Sequence, residues 1–282
     1  MTTTQFADLG VDQDLVDVLT ERGITAPFEI QALTIPDGLA GRDVCGRAKT
    51  GSGKTLAFGI PLVQLLPKAR PGRPTGLALV PTRELAVQVA RELEPLAAKR
   101  GIRTLAVYGG APIEKQISAL ARGVEFVVAT PGRMIDLIDR GELSVADVER
   151  VVIDEADRMA DMGFMPQVEW ILRRVDRNHQ TLLFSATLDG MVGGLIKRYQ
   201  NDPVMHEIAG REATVAEMEH RFLAVHEMDR VRVAAAIIGS SHRTIIFTRT
   251  RWGADKLARA LEDEGVDAAP IHGDLRQQKR DR

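Results

Sequence analysis

Two stretches hold residue types that could work on a nucleoside triphosphate. The first is Ala48-Lys49-Thr50-Gly51-Ser52-Gly53-Lys54-Thr55. It follows the apolar pair Val44-Cys45 and opens the helical pattern Leu56-Ala57-Phe58-Gly59-Ile60. Strand, glycine-rich turn and helix is the context a phosphate-binding loop requires. Gly51 and Gly53 leave the backbone free to curl, so successive N–H groups can face phosphate oxygens. The helix that starts at Gly53–Lys54 adds the positive end of its dipole. On this reading Lys54 reaches the β- and γ-phosphates, and the Thr55 hydroxyl ligates Mg²⁺. The strict pattern starts with Gly, and Ala48 stands there instead. The second stretch is Asp154-Glu155, at the end of the apolar run Val151-Val152-Ile153. Carboxylates there suit phosphoryl transfer to water, with Asp154 in the Mg²⁺ shell and Glu155 orienting or deprotonating the water. A helix start favours carboxylates in any case, so the chemical reading comes from the pairing of loop and Asp154-Glu155 in this order.

Short apolar strands alternating with helices would position these residues. Helical spacing of apolar residues marks 11–19, and Pro27 suits the start of a second helix through Gln31 and Leu33. After the loop, strands are expected at 77–80, 104–108, 125–129, 151–153 and 181–184, with helices at 83–99 and 113–121. Such units predict an α/β fold, a parallel sheet covered by helices on both faces. Polar residues recur just past the strand carboxyl ends, where these folds place ligands. Around 208–214 the pattern loosens. A further set follows: strand 220–225, helix 231–238, strand 244–247, helix 254–264 and a strand ending near 271–273.

The 282 residues are 44% hydrophobic and 27% charged, enough for one large or two smaller cores. A net charge of −2 excludes a globally basic nucleic-acid binder, so any such surface must be local. Cys45 is the only cysteine, which rules out a disulfide or a cysteine zinc site within one chain. The start MTTTQFADLG lacks signal-peptide features, and no apolar run approaches membrane-spanning length. The expectation is a cytoplasmic protein without a membrane partner.

The chain resembles the DEAD-box ATP-dependent RNA helicases. AKTGSGKT, PTRELA (81–86), GG (109–110), TPGR (130–133), DEAD (154–157) and SAT (185–187) match the family's successive motifs in order. Phe6, Gly23, Pro27 and Ile30-Gln31 match its adenine-sensing Q motif. IIFTRT (245–250) and HGDLRQQKR (272–280) are similar to early motifs of the family's second RecA-like domain. The resemblance thus implies a Q-motif region at 1–32, a RecA-like ATP-binding domain at 33–208, a linker at 209–214 and part of a second RecA-like domain at 215–282.

It also implies roles, with ATP and Mg²⁺ as cofactors. Gln31 would read the adenine edge with Phe6 packing nearby, and Ala48 through Thr55 would enclose the phosphates. Lys54, Asp154 and Glu155 would be catalytic, with Thr55 and Asp154 on the metal, partly through water. Hydrogen bonds among Asp157, Ser185 and Thr187 would couple nucleotide state to RNA binding. Thr82, Arg83, Gly109, Gly110, Thr130, Arg133, Gln277 and Arg280 would hold the RNA backbone. Hydroxyls, guanidinium groups and bare glycine backbone suit phosphate and 2′-OH, so binding would be independent of sequence. Lys49 departs from the Gln many relatives carry. Nothing resembling HRxGRxxR occurs, so the expected behaviour of this chain is binding of ATP and RNA with poor hydrolysis. A DNA-directed helicase with the same core, and a non-catalytic clamp that uses ATP only as a gate, remain as alternatives.

Overall fold

Val44–Arg47 (β1), Gly76–Leu79 (β2), Thr104–Val107 (β3), Phe126–Ala129 (β4), Arg150–Asp154 (β5), Gln180–Ser185 (β6) and Val204–Glu207 (β7) form one sheet. Its order is β3-β4-β2-β5-β6-β1-β7, and every neighbouring pair runs parallel. The computed structural model describes residues 4–49, 51–208, 221–241 and 243–275, in two units, Met1–Arg211 and Glu212–Arg282. The sheet belongs to the first unit.

Period-two alternation divides the strand side chains between two cores. Val152, Leu182 and Phe184 join one, packed with residues of Gln13–Glu21 (α1), Glu29–Leu39 (α2), Lys54–Leu65 (α3) and Arg83–Lys99 (α4). Val151, Ile153 and Leu183 join the other. There they meet Ile113–Ala121 (α5), Pro131–Asp139 (α6), Ala156–Asp161 (α7), Met165–Leu172 (α8) and Gly190–Tyr199 (α9). With both faces covered, the central strands are buried throughout and read as continuous apolar runs. Cys45 is fully buried within this packing, which pushes its thiol up to about 12. Its role there is packing.

The expected parallel α/β sheet is present, and β2 to β6 match the expected strands within a residue at either end. One strand, β7, is additional. The second unit contains Arg230–Gly239 (α10) and Arg251–Asp263 (α11), whose Ala258 and Leu261 are buried. The strands expected there are a correction: residues 221–225, 244–247 and 271–273 form no ladder among the described residues. An apolar run becomes a strand only when a neighbour takes up its backbone N–H and C=O groups. Here Ile245, Phe247 and Ile271 lie instead on the surface, 82%, 92% and 72% exposed. His220 and the 209–214 linker lie outside the described residues. No described helix is long and apolar enough to cross a membrane.

Candidate nucleotide and RNA-binding site

The sheet order makes β5, β6 and β1 adjacent, so their carboxyl ends bring three polar segments together. Arg47 pairs with Ser185, and Asp154 with Phe184. The Ala48 N–H extends the ladder by donating to the Ser185 carbonyl at 3.0 Å. The loop then turns through Gly51 and Gly53, whose φ angles of 85° and 87° lie in the region that glycine tolerates best. Gly53 caps α3. A Cβ on Gly53 would meet both Gln31 Nε2 and Phe28 Cδ2 at 2.5 Å, so the loop requires glycine on steric grounds too.

Lys54 is 7% exposed. Its ammonium donates to the Ala48 carbonyl at 3.2 Å and lies 3.8 Å from Asp154. Asp154, also buried, accepts from the Glu155 N–H at 2.9 Å. Burial pushes its carboxyl up to about 6, against the pull of the Lys54 charge. Glu155 adopts the left-handed conformation (φ 51°, ψ 49°) at the start of α7, strained for a residue with a side chain. Its carboxylate receives Arg158 Nη1 at 3.2 Å.

Gln31 is buried, 2% exposed, in the first turn of α2. Its Oε1 accepts from the Phe28 N–H at 2.9 Å, and its Nε2 donates to the Gly53 carbonyl at 2.9 Å. An amide keeps one further N–H and one lone pair after these two bonds. A cleft of about 560 Å³ runs along this assembly, lined by Ile24, Phe28, Gln31, Lys54, Thr55 and Asp154 among others. Phe6 is not in its wall. It is 1% exposed and packs in the α1–α4 core, because the 3-10 turn Ala7–Leu9 tucks its ring inward. Phe28, which the sequence did not single out, is the aromatic residue at the cleft.

The residues present suit a magnesium nucleotide. Ser52 Oγ in the loop is buried with no hydrogen-bond partner among the described residues. Among them there is no group of three or more His, Cys, Asp or Glu arranged around a metal. A Thr55 hydroxyl and an Asp154 carboxylate are hard oxygen donors, and Mg²⁺ takes few such protein ligands beside water and phosphate.

Beyond β5 the sheet continues through β2, β4 and β3, and a second set of polar residues sits on their carboxyl ends. Thr82 caps α4, accepting from the Leu85 N–H at 3.3 Å. Arg83 follows and lays its guanidinium on Gly110, whose φ of 86° lies in the region that favours glycine. From the other side Arg133 Nη1 donates to the Ala111 carbonyl at 3.3 Å. Thr130 stands at the N-cap position of α6 without a side-chain capping bond, and its N–H bonds the Val107 carbonyl at 2.9 Å. Gly109 and Gly110 thus lie between two arginines. The Asp157 N–H donates to Ser185 Oγ at 3.1 Å. Thr187 is exposed two residues further on, and it bonds neither partner among the described residues. The expected three-way link is therefore one backbone-to-hydroxyl bond. Thr50, Gln277 and Arg280 lie outside the described residues.

The model of the DEAD/DEAH box helicases matches residues 28–192, and the chain belongs to that family. It is 41% identical over 279 residues to the DEAD-box ATP-dependent RNA helicase CshA of Geobacillus kaustophilus, covering 98% of this chain and 60% of the relative. CshA of Bacillus subtilis is 41% identical over 282 residues, covering 99% and 56%. The chain therefore spans little more than half the length of these curated relatives. A solved DEAD box protein from the hyperthermophile Methanococcus jannaschii superposes with a TM-score of 0.68 at 34% identity, covering 98% of this chain and 75% of that one.

Proposed function

We propose that the chain is the ATP-binding and part of the second RecA-like domain of an ATP-dependent RNA helicase, acting in the cytoplasm on ATP and RNA. The observation that carries this is the partition of the sheet's carboxyl edge. Loop, Lys54, Asp154 and Glu155 occupy the β5-β6-β1 side, and Thr82, Arg83, Gly110 and Arg133 the β2-β4-β3 side. One edge thus presents a phosphate cradle beside a backbone-binding surface.

The chain's own groups divide the work as follows. Lys54 holds β- and γ-phosphate oxygens with a buried ammonium that lies 3.8 Å from Asp154. Thr55 and Asp154 hold Mg²⁺, which when bound draws charge from the phosphate oxygens. Glu155 orients water or takes its proton, set by the strained turn at the end of β5. Gln31 ties the adenine end to the loop through Gly53 and retains the donor and acceptor that adenine needs. Ser185 links β6 to Asp157 next to Glu155, a short route from phosphate to RNA side. Arg83 and Arg133 take RNA phosphates and sugars without reading bases. The 282 residues hold no HRxGRxxR segment that could supply an arginine finger, so this chain binds ATP and hydrolyses it slowly.

ATPase assays with RNA and DNA of the same sequence, on a protein of the relatives' full length, test the reading. Stimulation by RNA alone is expected. Equal stimulation by DNA would favour a DNA-directed enzyme, and no single-turnover cleavage a non-catalytic clamp.

A further inference from the structure

The opposite edge of the sheet holds a second polar cavity. Arg150 opens β5 and Gln180 opens β6, and the two are cross-strand partners. They share the wall of a pocket of about 580 Å³ with Arg42, Arg177, His179 and Asn201. Nine buried side-chain atoms lack a hydrogen-bond partner among the described residues, and three of them belong to this wall: Arg150 Nε, His179 Nε2 and Gln180 Oε1. That clustering sets the pocket apart. Gln180 is 7% exposed, and its Nε2 donates to the Gly38 and Arg42 carbonyls at 2.8 and 2.7 Å, which leaves the oxygen over. His179 Nδ1 faces the Asp176 carbonyl, so it carries the ring hydrogen and Nε2 keeps a lone pair. Arg150 lies 3.7 Å from Glu149, yet burial lowers its pKa in spite of that charge. The other acids on the wall do not answer these groups. Asp43 accepts from the Thr181 and Asn201 N–H at 2.7 and 2.6 Å, and Asp202 is exposed.

An unpaired buried polar atom carries a desolvation cost, and here one cationic donor and two acceptors are left unpaired together. Water could meet each singly, but it brings no charge to Arg150. We infer that this pocket binds inorganic phosphate, with an oxyanion on Arg150 and a P–O–H on the His179 or Gln180 acceptor. Phosphate near neutral pH carries both kinds of group. Sulfate and the phosphodiester of an RNA backbone have no O–H, so they leave both acceptors empty. Arg150 and the exposed Arg177 supply the charge, in the planar donor geometry that suits phosphate. All three atoms are shielded from water as the side chains stand, so binding includes a turn of the Arg150 head and the His179 ring. The pocket lies at the amino ends of β5 and β6, whereas the nucleotide cleft lies at the carboxyl ends.

The imidazole NMR signal of His179, assigned by its loss in His179→Gln, reads this pocket and not the phosphate loop at the far edge. The 282-residue chain is titrated with inorganic phosphate, sulfate and methyl phosphate at constant ionic strength and mildly alkaline pH, where the methyl phosphate dianion has no O–H. Phosphate should shift the signal saturably, and the other two anions should bind about ten-fold or more weakly. Arg150→Gln should weaken phosphate about ten-fold, with an unchanged far-UV circular dichroism spectrum to show that it folds. Arg177→Gln, at an exposed position, should weaken it about three-fold and carries the test if Arg150→Gln does not fold. The inference is overturned if phosphate gives no saturable shift, or if sulfate or methyl phosphate binds as tightly. It also falls if phosphate affinity is unchanged in a folded Arg150→Gln, or in Arg177→Gln where that variant decides.

Discussion

Lys54 and Asp154 are both nearly buried and 3.8 Å apart, a separation too long for a strong hydrogen bond. Two desolvated charges this far apart repay little of their burial, and burial holds the Asp154 carboxyl up at about 6. Phosphate oxygens and a divalent cation would fit into that space and relieve both. The neighbouring Glu155 makes a different contribution, since its backbone strain and its contact with Arg158 fix a carboxylate beside Asp154. Glu155→Gln in a protein of the relatives' full length should therefore cut hydrolysis by a factor of about 100 or more while ATP still binds, as measured by single-turnover cleavage and equilibrium binding. Loss of binding would show that Glu155 supports the structure instead. Gly110→Ala should lower RNA affinity in a filter-binding assay, because its φ of 86° opposes a side chain and an added methyl would push the Arg83 guanidinium out of place.

Among the elements, β1, the loop and α3 are legible because Val44-Cys45, two glycines and Lys-Thr each report one local requirement. Strands β2, β4, β5 and β6 are legible for a similar reason, since burial on both faces leaves each an apolar centre such as Val151-Val152-Ile153 or Leu182-Leu183-Phe184. Strand β7 is hidden. It lies at the sheet edge, and Met205, His206 and Glu207 carry no continuous apolar signal. The opposite error occurs in the second unit, where Thr244–Phe247 has strand composition but no ladder. Phe6 and Phe28 show the same limit within the site: both are aromatic, and only packing decides which ring is buried. The loop ahead of β4 offers a separate test of the framework. Glu125 is buried, which pushes its carboxyl up, but the Arg103 guanidinium and the Arg103 N–H, donating at 2.8 Å, outweigh this and hold it down to about 2. A carboxylate depressed in this way stabilises the fold above its unfolded value near 4.5, and that stability is lost as pH falls toward 2. Glu125→Gln should cost about 2 kcal/mol at neutral pH in urea denaturation and flatten the acid limb of the stability profile.

For the whole molecule, a net charge of −2 means that the proposed RNA affinity has to come from a few aimed groups. Arg83 and Arg133 frame the Gly109-Gly110 turn, so Arg83→Ala should weaken binding alike for all single strands and lower the salt slope by about 1. An effect confined to one RNA sequence would mean that the surface reads bases. The order of motifs along the chain is legible without coordinates. Their division between two halves of one sheet edge is not, because it depends on the strand order β3-β4-β2-β5-β6-β1-β7. The most direct measurement is a calorimetric titration of the 282-residue chain and its Lys54→Ala variant with Mg²⁺·ATP and Mg²⁺·GTP. Saturable binding that prefers ATP and is lost in Lys54→Ala is the expected result. Binding that survives in Lys54→Ala, or that treats ATP and GTP alike, would contradict an ATP site at this loop.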